Sequence, residues 1–149
     1  MFKKIFDKKN ENVSTNITKD ITLVAALLVH AAKIDESYTN IEKDIIKKAI
    51  ISLDATNTNQ VEKILEKAEK KENESNQIVE FTREIKKYTN EFKLKIIEIL
   101  WKIVYSDGTS DDFESSLIRR VCGLLYVSDK DNGIIKLKVK TYLNKKWLI

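Results

Sequence analysis

Apolar residues recur along this chain at spacings of three and four, and each stretch that keeps that rhythm predicts a helix. The first spans about Thr18 to Ile34, where Ile21, Val24, Leu28 and Ala31 form one stripe and Leu23, Leu27 and Ile34 widen it. Such a helix is expected to be buried on more than one side. The second, Ile41 to Leu53, opens on Thr39-Asn40-Ile41-Glu42, the spacing of a capping box in which Thr39 and Glu42 satisfy each other's free N–H groups. A third, with Val61, Ile64, Leu65 and Ala68 beneath alternating Glu and Lys, reads as a surface helix, and Glu66 and Lys70 form a favourable pair on it. A polar break at Lys71 to Ser75 then separates it from a fourth, Gln77 to Tyr88, capped by Ser75.

The fifth helix, Asn90 to Ser106, contains FKLKIIEILWKIVY and is so apolar that it belongs at the centre of a bundle. The sixth, Asp112 to Val127, carries Phe113, Leu117, Ile118, Val121, Leu124 and Leu125, with Asp111 placed three residues before Glu114 as another cap-like pair. In the last segment Ile135, Leu137 and Val139 alternate with lysines as a strand would. A lone strand among helices has no partner for its backbone, so a helix starting after Ser128 is the expectation.

Composition points the same way. The 149 residues include no proline and three glycines, and 42% are apolar, which suits long uninterrupted helices in one domain. The expected architecture is an all-α bundle of about seven helices, with a flexible basic segment at 1–16, the helical domain at 17–144 and a short tail at 145–149. A single cysteine, Cys122, lies in the apolar pattern SLIRRVCGLLYV and reads as a small core residue in a reducing compartment. The start lacks the apolar region of a secretion signal, and the longest purely apolar run, Leu23 to Val29, is far short of a membrane span. A soluble, cytoplasmic protein is expected, associated with membranes at most through partners.

Charge is unevenly spread. The net value is +4, yet residues 1–10 hold four lysines and one aspartate, and residues 130–149 hold six lysines and one aspartate. The body between them is therefore acidic, and the basic ends are the parts that a polyanion or an anionic membrane surface would attract. With lysine so abundant it also serves as ordinary surface filler, which weighs against a nucleic-acid role.

Shifting the chain by 72 positions lays LLVHAAKIDESYTNIEKDII, Leu27 to Ile46, over ILWKIVYSDGTSDDFESSLI, Ile99 to Ile118. Asp35 meets Asp107, Glu42 meets Glu114, and Ile45-Ile46 meets Leu117-Ile118. Each copy is an apolar helix, an aspartate, a short turn and a helix whose glutamate falls seven positions after that aspartate, so two duplicated helix-turn-helix units are the simplest reading. On these stretches, on the MFKKIF start, on IVEFTREI and on SSLIRRVCGLLYVSD, the chain resembles the TerB family of tellurite-resistance-associated proteins. That all-helical fold is shared with the N-terminal domain of the membrane-anchored co-chaperone DjlA.

The family's pattern places an aspartate, a glycine and a glutamate in each half. Carried over, the resemblance implies Asp107, Gly108 and Glu114 in the second copy and Asp35 and Glu42 in the first as divalent-metal or interaction residues. The first copy has Glu36 where the pattern has glycine, and the second has Tyr105 where a small residue is usual. Such an Asp-to-Glu interval is too short for an EF-hand loop, so an ion would need oxygens from more than one segment. If the two turns face each other, Asp35, Glu42, Asp107 and Glu114 form a hard oxygen cluster suited to Ca2+, Mg2+ or Mn2+, and no cofactor is otherwise required. Helix capping by Glu42 and Glu114, and pairing of Asp35 and Asp107 with Arg119 or Arg120, is the competing structural reading.

No nucleophile is paired with a plausible base, and no phosphate-binding loop is present. His30 reads as a partly buried residue near a helix end, and Trp101, Phe92 and Phe113 read as core. The resemblance therefore implies a non-enzymatic interaction module, an adaptor for protein partners in a response to tellurite or other chemical stress. The alternatives are a docking domain of the co-chaperone type and a metal-dependent hydrolase. The first lacks the His-Pro-Asp triplet of a J domain, since the chain contains no proline.

Overall fold

A computed structural model describes residues 13–34, 38–54, 60–75, 77–107 and 112–147. Among the described residues the chain forms seven α-helices and no strand: α1 (Val13–Ala32), α2 (Asn40–Asp54), α3 (Val61–Glu74), α4 (Ile78–Ile85), α5 (Asn90–Val104), α6 (Asp112–Leu125) and α7 (Asp129–Trp147). A 3-10 turn, Tyr105–Asp107, extends α5. The all-α bundle is thus as the apolar spacing predicts. Residues 1–12, within the segment expected to be flexible, lie outside the described residues, as do 148–149 of the expected tail.

Two helices occupy the interior. Along α1, Val24 to Val29 are at most 1% exposed, so all sides of the helix are covered, as its widened stripe requires. It packs most extensively on α3 and also meets α2, α4 and α5. The second is α5, with Phe92, Ile96, Ile97, Leu100, Trp101 and Ile103 all buried, packed against α1, α2, α6 and α7. Side chains from both belong to one core. Small residues at Ala25, Ala26, Ala31 and Ala32 keep α1 thin enough for several neighbours to approach it.

Local signals set the helix starts. Thr39 and Glu42 form the capping box foreseen from their spacing: the Thr39 N–H donates to Glu42 Oε1 at 2.8 Å and the Glu42 N–H donates to Thr39 Oγ1 at 3.1 Å. Thr89 caps α5 by accepting from the Phe92 N–H at 3.2 Å. Ser128 does the same for α7 through the Asp131 N–H at 3.1 Å. The expected cap of α4 differs. Ser75 ends α3, its hydroxyl accepting only from the Gln77 N–H, and Gln77 occupies the N-cap position without a side-chain bond.

The polar stretch from Lys71 is not a break either, because α3 continues through Glu74. Glu72 prolongs the buried stripe of Val61, Ile64, Leu65 and Ala68, so α3 seats a full face on α1 and is more than a surface helix. The strand-like alternation of the last segment also has a helical explanation. Val139 is buried, Ile135 and Leu143 pack partly against the core, and Leu137 points to solvent with 65% exposure. Residues four apart face inward while the one between them faces out.

Candidate functional site

The two acidic junctions connect α1 to α2 and α5 to α6. At the first, the Lys33 N–H reaches the Val29 carbonyl at 3.0 Å and the Ile34 N–H reaches Ala31 at 3.4 Å, so α1 closes in a tightened turn before the chain enters Asp35. At the second, α5 tightens into the 3-10 turn and Ser106 Oγ donates to the Ile103 carbonyl at 2.7 Å. Asp35, Gly108 and the side chains of Asp107 and Glu114 lie outside the described residues. Glu42 is described: it is buried, and Oε1 accepts from both the N–H and the hydroxyl of Thr39. Arg119 and Arg120 are exposed on α6 and make no ion pair among the described residues.

A cleft of about 500 Å³ joins the neighbourhoods of the two junctions. Ile41, Asp44 and Ile45, the first turns of α2 after one junction, form one wall, and Tyr105 and Ser106, which lead into the other, form the next. Tyr142 and Leu143 of α7 close the far side, with Lys48 and Lys102 at the rim. A second hollow of about 290 Å³ shares Ile45, Lys48 and Lys102 and runs along α2 and α5 towards Leu53 and Lys95. The floor is apolar and the rim charged, the composition common to binding clefts.

Beside the first junction, α3 supplies a polar constellation. The buried carboxylate of Glu72 faces His30 Nδ1 at 3.1 Å, in the last turn of α1, and Lys33 Nζ at 3.0 Å, just beyond it. A carboxylate only accepts at that contact, so His30 Nδ1 carries the proton there. The Tyr38 hydroxyl donates to Glu69 at 2.7 Å, and the ammonium groups of Lys33 and Lys43 lie 5.8 and 4.9 Å from the Tyr38 ring centroid. Burial first, then Glu69, Glu42 and Glu72, pushes the Tyr38 hydroxyl far above the usual phenol range, so it stays a donor.

Three glutamates from two helices therefore gather around the exit of α1, each held by a named donor. Among the described residues no three His, Cys, Asp or Glu side chains are grouped as a metal site. Neither Glu69 nor Glu72 follows an aspartate at the spacing that marks Glu42 and Glu114. A signal for Glu72 did exist: it continues the apolar stripe of α3, where a carboxylate must be buried and therefore paired.

His30 is partly buried, with 22% of its side chain exposed, and its ring lies tilted to that of Phe81 with centroids 6.5 Å apart. Phe92 and Trp101 lie in the core, whereas the side chain of Phe113 lies outside the described residues. Cys122 is a buried free thiol, pushed up to about 12 by burial and, less, by Asp129. No helix among the described residues is long and apolar enough to cross a membrane.

Comparison with known proteins agrees with the resemblance that the junctions suggest. A family model described as tellurite resistance protein TerB matches residues 22–137, which take in both junctions, the Glu72 constellation and the cleft except for its Tyr142 and Leu143 side. No curated protein and no solved structure gives a match. With most of its length covered by that family model, the chain belongs to the TerB family.

Proposed function

We propose that the protein is a non-enzymatic adaptor of the cellular response to tellurite or related chemical stress, and that its two acidic junctions together receive a divalent cation or a basic segment of a protein partner. The observation that carries this reading is the shared cleft: residues leaving one junction and residues entering the other line the same hollow. Two chain segments that border one cleft can each contribute oxygens, as Ca2+ or Mn2+ requires when no single loop is long enough.

The electrostatics around the first junction favour a cationic visitor. Glu42, Glu69 and Glu72 lie there with Lys33 and Lys43, and the sequence adds Asp35 and Glu36 between Ile34 and Tyr38. The described glutamates outnumber these two lysines beside the junction, while Asp44, Lys48 and Lys102 line the cleft itself.

Calorimetric titration with calcium and then manganese tests the cation arm. Heat is expected with the intact protein and should weaken with Asp107→Asn, because the amide replaces a charged ligand by a neutral one. Absence of heat with both ions overturns cation binding and leaves the junctions as a site for a basic peptide alone.

A further inference from the structure

The outer side of α7 combines two properties seldom placed together on a soluble surface. Ile134 and Leu137 are 56% and 65% exposed, and Tyr142 nearby is 62% exposed. Exposed Lys130 and Lys138 lie on the same side, since positions 130, 134, 137, 138 and 141 follow one another around successive turns, and exposed Lys140, three positions after Leu137, borders it on the opposite edge from Lys138. Between Asp131 and Ile149 the sequence holds five lysines and no carboxylate.

We propose that this face seats the protein peripherally on an anionic lipid surface. Lysine side chains meet the headgroups while Ile134 and Leu137 enter the boundary with the acyl chains, a combination that binds membranes without spanning them. The interior side of the helix is already occupied, because Val139 is buried and Ile135 and Leu143 pack on the core. Packing within the fold thus accounts for one apolar side of α7 and leaves the other without a structural reason.

Shape and charge select the occupant. Ile134, Leu137, Lys138 and Lys140 line neither of the two hollows described above, the places where the anchor side chains of a peptide would seat. A second copy of the same face would bring lysine against lysine. Nucleic acid would neutralise the lysines but leave Ile134 and Leu137 in water, whereas a lipid surface satisfies both groups at once. Lys138 keeps much of its side chain exposed even while its ammonium reaches Glu98 at 2.7 Å, so an existing ion pair does not withdraw it from the surface.

Co-sedimentation with vesicles tests the proposal on the full chain. Binding is expected to phosphatidylcholine vesicles containing phosphatidylserine and to fall as salt rises, with none to phosphatidylcholine alone. Each lysine near such a surface contributes roughly fivefold in affinity, so Lys130→Gln with Lys140→Gln should weaken binding about 25-fold. Ile134→Ser with Leu137→Ser should weaken it as well, and circular dichroism should show an unchanged helix content for every variant. Removing two exposed lysines from α3, Lys63→Gln with Lys67→Gln, should matter far less. No binding to the anionic vesicles overturns the proposal. So does equal weakening by the α3 pair, indifference to the Ile134 and Leu137 changes, or complete displacement by an oligonucleotide that depends on the lysines but not on those two residues.

Discussion

Trp101 is among the largest side chains wholly inside the fold, yet it brings a polar hydrogen into an apolar interior. Its indole N–H donates to Asn132 Oδ1 at 2.9 Å, its ring stacks on Tyr105, and the Lys136 ammonium lies 5.0 Å from its centroid. Two of these contacts, the hydrogen bond and the cation over the ring, fasten α5 to α7, and the third stays within the extension of α5. Asn132→Ala should leave the indole donor without its partner and cost about 1–3 kcal/mol, read from the urea midpoint. Individual residues differ in how far their neighbours can be inferred from order alone. Glu42 was legible because its partner Thr39 is three positions away, and the box forms as its spacing dictates. Glu72 was not, since His30 and Lys33 lie 42 and 39 positions away and only the fold brings them to it.

Among the helices, α6 ends on an uncommon residue. Tyr126 adopts a left-handed backbone with φ 61°, while the Val127 N–H returns to the Cys122 carbonyl at 2.8 Å and the Tyr126 N–H to Gly123 at 3.4 Å. This is the Schellman closure, and its left-handed position favours glycine, because a side chain there crowds the following carbonyl. Tyr126→Gly should therefore raise stability by about 1 kcal/mol in thermal or chemical unfolding. The exposed Tyr126 ring gives up a contact with Lys93 at 5.9 Å. Helix number and type were readable from apolar spacing because each stripe had to reach the same core. Ends were harder: at Lys71 a run of charge concealed a continuing helix, and at Ser75 a favoured capping residue stood where the previous helix finished. The α7 alternation misleads for a different reason, since apolar residues on two sides of a helix imitate the period of a strand.

The molecule as a whole is held by one core into which α1 and α5 are both sunk, so events in that core report on global unfolding. Cys122 sits there almost without exposure. Its folded-state value of about 12 lies above the ordinary 9.0, which means that the thiol's contribution to stability is complete below pH 9.0 and is lost as pH rises toward 12. Denaturant midpoints measured across that window should fall more steeply for the native sequence than for Cys122→Ala, even though the variant starts lower through lost packing. The candidate site was legible only in part: duplicated Asp and Glu spacings pointed to the two junctions, but spacing could not reveal that both border one cleft or that α3 sends Glu69 and Glu72 beside the first. Those relations depend on how α2, α3 and α5 cross in space, which no local pattern encodes.

The burial of α1 on every side has a consequence for the order in which the chain is made. Its coverings, α2 to α5, all come later in the sequence, the last of them ending at Val104. During synthesis, the oily stretch Leu23 to Val29 must therefore wait without its full native shelter until the fifth helix has emerged, a period in which holding chaperones have their clearest target.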